Sequence, residues 1–423
     1  MSAQNQVPNF LPSVNGWQFP NSGQLPGSYG VITLPVIGTV ATNAAGKGIC
    51  GGFAFSVRDM FEHRPRLLPS SSTALPAAHS PEWNLLTNRF MDSITVNAYA
   101  NATKAIGWIQ TPDHDVVIGG PGLAHQMIET EWPALKAAID GGSLVPLYLI
   151  MPPQCGIGDV VGIPVALGRS HQVLAYRYQL DDADNLTIWV YDPDAPGTSN
   201  DPDKITISLN ISSPAHTTAI SAPLLLDDMG ETKIRGFFCA QYQYQDPTTA
   251  GADLRVANNS QFVGQDVPAP LTAGQATTIT MQNSGALTWT PQGGHRLGTQ
   301  TPRDNELWGT NRLNLAGDVA PGQRATFSLT VASIPATGGT FQWQMVQDGV
   351  ELFGAMTPAV TVAPGPCAIL TAKIDGLQAG IRNLQSELRH AAGPDKPELI
   401  QEIAEAEQQV TSLQQQKAAL GCP

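Results

Sequence analysis

Three residues of this sequence have the types and the order that thiol chemistry requires. Cys50 lies where a glycine-rich loop, residues 46–49, gives way to a predicted helix. At a helix N-terminus, unpaired backbone N–H groups and the helix dipole favour an anion, so a thiol there ionises more readily to the nucleophilic thiolate. His171 begins a predicted strand, and Asp192 follows the next one. A carboxylate beside a histidine can orient the ring, and the ring can then activate a thiol.

A predicted hairpin brings the histidine and the aspartate together. Its strands cover residues 171–179 and 186–191, with a polar turn at residues 181–185. Asp192 is then opposite or diagonal to His171, and cross-strand neighbours lie ~5–8 Å apart. The flanking glycines, Gly46, Gly48, Gly51 and Gly52, are expected to let a substrate backbone approach the thiol. The structural alternatives are a small buried cysteine that begins a core helix and a satisfied histidine at a strand end beside a turn aspartate.

These motifs resemble those of a known family. Gly48-Ile49-Cys50-Gly51-Gly52, Ser170-His171-Gln172-Val173 and Val190-Tyr191-Asp192-Pro193 are similar to segments of papain-like cysteine peptidases, in particular the branch that processes bacteriocin leaders. The resemblance implies Cys50 as nucleophile, His171 as general base and acid, and Asp192 as the residue that orients the histidine. It also implies cleavage of a peptide or protein substrate.

One position departs from the family pattern. The family usually has a glutamine six residues before the cysteine to stabilise the oxyanion, and this chain has Ala44 there. Asn43 is the candidate substitute, because a side-chain amide can donate the same hydrogen bond. The alternatives are a catalytically inactive scaffold that acts as a binding or structural protein, and an amidase or acyltransferase with the same Cys–His chemistry.

The residues that must position this site form the first of three predicted domains, residues 1–246. Helices are predicted over residues 50–61, 83–108 and 122–140, and strands over residues 144–151, 171–179, 186–191, 204–209 and 234–244. Helices followed by strands indicate an α+β domain. Residues 1–45 are rich in Pro, Gly and Asn and are expected to be irregular. Two segments rich in Pro, Gly and Thr, residues 246–251 and 363–366, are predicted to be linkers.

The second predicted domain, residues 255–363, consists of short period-two stretches separated by turns, which indicates an all-β sandwich. Its segments around Trp289, Trp308 and Trp343 resemble the four-tryptophan Ig-like domain of selective-autophagy receptors and many bacterial proteins. Where the family has its fourth tryptophan before a Phe-Gly pair, this chain has Leu352. The resemblance implies binding of a protein partner. Each tryptophan by itself is expected to be core packing.

The third predicted domain, residues 367–423, is a helical coiled-coil hairpin. Apolar residues recur at spacings of three and four in two runs, and Gly393-Pro394 separates the runs. The register places Cys367 across from Cys422 at the open end, which predicts a disulfide with a Cα separation of ~5.5 Å. A spacer or assembly role is the expectation. Because a heptad seam can recruit further helices, oligomerisation stays open.

Composition narrows the function classes. The 423 residues carry 22 basic and 35 acidic side chains, a net charge of −13, which gives no basic surplus to neutralise nucleic-acid phosphates. No apolar run approaches the ~20 residues of a membrane span, and no metal or cofactor is expected. Residues 1–28 lack the basic and apolar regions of a standard signal peptide. The predicted disulfide nevertheless favours an extracellular or other oxidising setting, so localisation stays open.

Overall fold

The computed structural model describes residues 2–21, 31–34, 38–41, 49–117, 120–151, 154–156, 162–197, 199, 201–214, 220–223, 225, 234–335, 337–390 and 392–422. The chain divides into two compact units, Met1–Ala257 and Asn258–Pro423. The predicted α+β class is confirmed, with several antiparallel sheets and a pair of C-terminal helices.

The first unit combines helices with a six-stranded sheet. The strands of the whole unit are β1 (Ala3–Gln6), β2 (Val31–Leu34), β3 (Gly38–Ala41), β4 (Leu67–Leu68), β5 (Val145–Ile150), β6 (His171–Leu180), β7 (Asn185–Tyr191), β8 (Thr206–Asn210), β9 (Gly236–Cys239) and β10 (Arg255–Val256). Its helices are α1 (Pro12–Asn15), α2 (Cys50–Glu62), α3 (Pro81–Gln110), α4 (Leu123–Gln126), α5 (Trp132–Asp140) and α6 (Gly162–Gly168). A π-helical turn, Met127–Glu131, joins α4 to α5. Helix α3 is interrupted by non-helical backbone at residues 96–99.

The sheet is antiparallel throughout and holds the predicted hairpin. Its order is β8-β7-β6-β5-β9, and β1 also pairs with β6. The hairpin pairs Leu180 with Leu186 and, beyond a bulge between Ala175 and Arg177, Leu174 with Tyr191. A bulge shifts the register by one residue and bends the strand. The bulge therefore lies between the hairpin turn and the strand end that carries His171.

The N-terminal residues are an integral part of this unit. The sequence predicts an irregular segment, but strand β1 pairs with the end of β6, and Phe10, Trp17 and Phe19 are fully buried in the main hydrophobic core. The Trp17 and Phe19 rings lie against Phe53 of helix α2, with centroids 6.4 and 5.7 Å from it. Three large apolar side chains drive this packing, since burying each one contributes about 1.5–3 kcal/mol.

The first unit also extends beyond residue 246. Strand β10 pairs with β4, and the backbone N–H of Asp253 donates to Glu82 at 2.9 Å. The predicted linker at residues 246–251 includes a 3₁₀ turn, Pro247–Ala250. The predicted strand over residues 234–244 is shorter, because side chains replace its ladder partners: Gln241 N–H donates to Asn101 at 2.7 Å and Gln245 N–H donates to Asp59 at 3.1 Å.

The second unit begins with an all-β region. Its strands are β11 (Ser260–Asp266), β12 (Ala276–Asn283), β13 (His295–Thr299), β14 (Arg312–Asn314), β15 (Arg324–Thr330), β16 (Gly339–Phe341), β17 (Trp343–Gln347), β18 (Glu351–Phe353) and β19 (Val360–Val362). They form sheets in the orders β11-β12-β15, β14-β13-β17-β18 and β16-β19. Trp289, Trp308 and Trp343 are fully buried in one core to which the sheets contribute, which confirms the expectation of core packing.

Two helices complete the second unit, α7 (Pro366–His390) and α8 (Lys396–Ala419). Ile374, Ile381 and Val410 form the centre of a small apolar cluster that draws on both helices, whereas Leu420, which continues the predicted apolar run, is exposed. Cys367 and Cys422 are joined by a disulfide, with their Cα atoms 5.5 Å apart. The helix pair is therefore closed at one end by a short turn, Gly393–Asp395, and at the other by a covalent bond.

Candidate active site

Helix α2 presents Cys50 at its first residue. Behind Cys50, Phe53, Val57 and Met60 are buried in the main core, so one face of the helix is fixed against the rest of the unit. Cys50 itself is only partly buried. The helix is therefore held against the core, while part of Cys50 remains exposed to solvent.

The two glycines after Cys50 have a packing role that differs from the expected one. Both are buried. A Cβ on Gly51 would lie 2.2 Å from the Ser93 hydroxyl oxygen, and a Cβ on Gly52 would lie 2.1 Å from the Leu86 carbonyl oxygen. At Gly52 the clash is with backbone, so a side chain there would push α2 away from α3, whereas at Gly51 the side chains of Ser93 and Gln172 would have to move. These two glycines thus let α2 pack closely against its neighbours and are not at the surface, where substrate approach would require them. Gly46 and Gly48 lie outside the described residues.

Strand β6 and the end of β7 bring His171 and Asp192 together. The His171 Nε2 atom lies 2.7 Å from the Asp192 Oδ1 atom, and the two side chains are 2% and 1% exposed. The backbone N–H of Asp194 also donates to Asp192 Oδ1, at 3.0 Å. The carboxylate is therefore held from both sides, and it fixes the imidazole ring with Nε2 as the donor.

The thiol completes the arrangement on the other side of the ring. The Cys50 side chain lies close enough to the His171 ring to affect its pKa. Since Asp192 occupies Nε2, the ring nitrogen left for the thiol is Nδ1. Burial by itself lowers the pKa of His171, but the charge of Asp192, its hydrogen bond to the ring and the interaction with Cys50 outweigh burial, so the pKa is raised well above its ordinary value of 6.5. The ring is accordingly suited to hold a proton beside a thiolate.

Two further side chains at the site were missed by sequence reasoning. The Asp194 Oδ2 atom lies 3.9 Å from His171 Nε2, so a second carboxylate faces the ring. The Asp-x-Asp spacing after β7 was the available signal. Tyr148 on β5 is buried, and burial, together with an electrostatic interaction with Cys50, raises its pKa. Its hydroxyl is thus a neutral group in the electrostatic field of the thiol.

His171, Asp192 and Asp194 also converge in the way that metal ligands do. One ligand atom from each lies within 4.8 Å of the others. However, Asp192 Oδ1 already accepts hydrogen bonds from the ring of His171 and from the Asp194 N–H. A cation would have to displace the first of these, so the geometry fits a hydrogen-bonded His–Asp pair better than an open metal site.

The other cysteines of the first unit have different surroundings. The Cys239 thiol donates to the Glu131 carbonyl oxygen at 3.5 Å, and burial together with Glu131 raises its pKa to about 12. Cys155 is partly buried against the edge of the main core. Neither cysteine has the His–Asp pair that lies beside Cys50.

Asn43, the expected oxyanion residue, and Ala44 lie outside the described residues. Three adjacent ionisable residues, Asp113, His114 and Asp115, lie in the loop before α4. Their two carboxylates bind different partners: Asp113 binds Arg235 at 2.7 Å, and Asp115 binds His125 at 3.0 Å. Among the described helices, none combines the length and the apolar character that crossing a membrane requires.

A comparison of the chain with protein-family models and with curated proteins finds no match.

Proposed function

We propose that the first unit is a thiol-dependent hydrolase and, more specifically, a cysteine peptidase. One observation carries the proposal: a partly exposed cysteine at a helix start lies beside a buried histidine, and the Nε2 atom of that histidine is held at 2.7 Å by a buried aspartate. A histidine with a raised pKa stabilises a neighbouring thiolate, and the thiolate is the nucleophilic form of cysteine.

The chemistry follows from these roles. The Cys50 thiolate attacks the carbonyl carbon of a peptide or amide bond, and His171 gives its proton to the departing amine as the C–N bond breaks. Water then attacks the thioester, and His171 takes a proton from that water while the Cys50–acyl bond breaks. Asp192 keeps the ring oriented through both steps. The backbone at the start of α2 and Asn43 are the proposed donors to the oxyanion.

The order of elements supports a papain-like fold for this unit. A helix that begins at the cysteine is followed by a strand that begins at the histidine and a strand that ends before an Asp-Pro pair. We propose this assignment on the same motifs that carry the resemblance. The substrate class it implies is a peptide or protein, and no cofactor takes part in the chemistry.

The decisive experiment is labelling with an electrophilic probe for reactive thiols. We expect the wild-type protein to be labelled at Cys50, and Cys50→Ala to lose the labelling. Cys155→Ala and Cys239→Ser are the matched controls and should keep it. Equal and slow labelling of all three cysteines in folded protein would refute the hydrolase and favour a papain-like scaffold without activity.

The second unit is proposed to supply interactions. Its all-β region, with three buried tryptophans in one core, supports an Ig-like module that binds a protein partner. The seam between α7 and α8 supports a coiled-coil spacer that can also assemble with further helices. Light scattering of the full chain and of a chain that ends at residue 363 tests assembly: a smaller association number for the shorter chain is the expected result.

A further inference from the structure

The N-terminal segment, residues 2–21, contacts each element that carries the candidate site. Strand β1 pairs with β6, the strand that begins at His171. The Trp17 indole N–H donates to the Ser56 hydroxyl of α2 at 3.0 Å. The described part of the segment ends at Asn21, which is buried. This segment precedes both elements in the chain, and it links helix α2, which begins at Cys50, to strand β6, which begins at His171.

Asn21 makes three hydrogen bonds that join the two halves of the site. Its Oδ1 atom accepts the N–H of Ile49, the residue before Cys50, at 2.6 Å. Its Nδ2 atom donates to Asp194 Oδ1 at 3.1 Å, and its own N–H donates to the Pro193 carbonyl at 2.8 Å. One side chain thus holds the start of α2 and the turn that follows Asp192.

We infer that Asn21 is a positioning residue that fixes the separation of Cys50 from the His171–Asp192 pair. The inference deepens the proposed hydrolase and rests on it. Asn21 touches none of the three catalytic side chains in these hydrogen bonds. It acts through the backbone next to Cys50 and through the two residues that follow Asp192.

An amide is well matched to this position because it needs one acceptor and one donor. The Ile49 N–H is a helix-start donor that the helix leaves without an intrahelical partner, so it needs an external acceptor. Asp194 is a carboxylate and needs a donor. Asparagine supplies both without adding a charge beside the ring, which already has the carboxylates of Asp192 and Asp194 and the thiol of Cys50 around it.

Two substitutions separate the two halves of this role. Asn21→Leu keeps the approximate volume and removes both hydrogen bonds of the side chain. Asn21→Asp keeps an acceptor for Ile49 but turns the donor into an oxygen that faces Asp194. The matched control is Asn15→Leu, because Asn15 is a buried asparagine in the same segment, and its side chain accepts only a local N–H, that of Leu11, at 3.0 Å.

The experiment measures the rate at which iodoacetamide alkylates Cys50 in the full chain between pH 4 and 9, read by peptide mass spectrometry. We expect Asn21→Leu to slow the reaction at neutral pH by about 10- to 100-fold, the usual effect of a small misplacement of reacting groups. Asn21→Asp should move the pH at which Cys50 becomes reactive upward, because a further negative charge disfavours the thiolate. Asn15→Leu should match the wild type.

Each other outcome is decisive. Wild-type rates and pH midpoints in both Asn21 variants would overturn the inference and leave the hydrolase intact. An equal loss in Asn15→Leu and Asn21→Leu would assign the effect to the packing of the segment and overturn it too. A wild-type Cys50 that is unreactive would overturn the proposed function and this inference together. If Asn21→Leu does not fold, the pH midpoint of Asn21→Asp decides.

Discussion

Each of the two units contains a buried histidine, and the groups around the two rings differ in charge. His171 in the first unit and His295 in the second are 2% and 4% exposed. The His171 ring is hydrogen-bonded to a carboxylate and lies beside a thiol. The His295 ring lies 3.2 Å from the amide oxygen of Asn258 and bonds the backbone of Thr290.

The titration of the two rings differs for that reason. Burial lowers the pKa of His295, and its backbone bond and the more distant Glu351 do not restore it. In His171 the same burial is outweighed by Asp192, so the pKa is raised. A buried histidine among neutral amides is a satisfied core residue, whereas one between a carboxylate and a thiol is prepared to carry charge. The partners, and not the burial, separate the site from the core.

The largest expected effect is on the tryptophan core of the second unit. Trp343 is fully buried, and its ring lies 5.8 Å from that of Phe341. Trp343→Ala should destabilise the all-β region by about 3–5 kcal/mol, because the site cannot collapse around so large a cavity. Hydrogen exchange of the full chain should show lost protection in β12, β13 and β17 with β6 unchanged. Lost protection in both units would contradict the separate cores.

The disulfide comes next in size. Cys367→Ser with Cys422→Ser opens a loop of 55 residues of separation, which on the chain-entropy model removes roughly 4 kcal/mol. The helix pair has only a small apolar cluster to offset that loss. Hydrogen exchange in α7 and α8 should accelerate, while the Cys50 alkylation rate stays at the wild-type value. Cys239→Ser is the control, and unchanged exchange in the double variant would show that the seam alone holds the helices.

Replacing each of the two histidines in turn tests the comparison directly. His171→Ala should slow alkylation of Cys50 by about 10- to 100-fold near neutral pH, because a cysteine without an activating base is only a few per cent thiolate there. His295→Gln should leave the rate unchanged. If both variants slowed the reaction equally, His171 would have no special role at the thiol.

Asp192→Asn is expected to have a smaller effect than the loss of the ring. The amide oxygen can still accept the Nε2–H bond, but a neutral acceptor is weaker than a charged one by ~1 kcal/mol, or about 5-fold in rate. The measurement is again Cys50 alkylation, with Asp181→Asn as the control, because Asp181 lies in the exposed hairpin turn. A loss as large as that of His171→Ala would mean that the ring activates the thiol only while the charge of Asp192 keeps it protonated.

Local patterns in the sequence were sufficient to predict much of this molecule. The apolar spacing of Phe53, Val57 and Met60 predicts helix α2, and the strand candidates at residues 171–179 and 186–191 match β6 and β7 within one residue of their ends. Because the two strands are joined by a short turn, the proximity of His171 and Asp192 could be argued from register alone. The contact of Cys50 with that pair could not, and depended on the resemblance.

What the sequence did not predict depends on partners far along the chain. Residues 2–21 have a composition typical of irregular loops, and their order comes from contacts with residues more than a hundred positions away, as in the pairing of Ala3 with Leu180. Asn21 was missed for the same reason, since its side chain bonds Ile49 and Asp194. The end of the first unit was placed too early because β10 pairs with a two-residue strand that has no pattern of its own.

The smallest expected effect is a difference in how the two units respond to pH. The folded pKa of His171 lies above its ordinary value of 6.5, so its contribution to stability is complete below about pH 6.5 and is lost as the pH rises through the folded pKa. The folded pKa of His295 lies below 6.5. In the second unit the unfolded chain therefore takes up the proton first, and stability is lost as the pH falls from about 6.5 towards the folded pKa.

Both signs can be measured in one sample. Carbon-13 labelling of the histidine rings and NMR titration of the full chain should give one midpoint above 6.5 that disappears in His171→Gln, and one below 6.5 that disappears in His295→Gln. In Asp192→Asn the His171 midpoint should fall, because burial is then no longer outweighed by a charge, and the His295 midpoint should stay in place. A His171 midpoint below 6.5 in the wild type would mean that Asp192 does not hold a proton on the ring, and the contrast between the two histidines would collapse to burial alone.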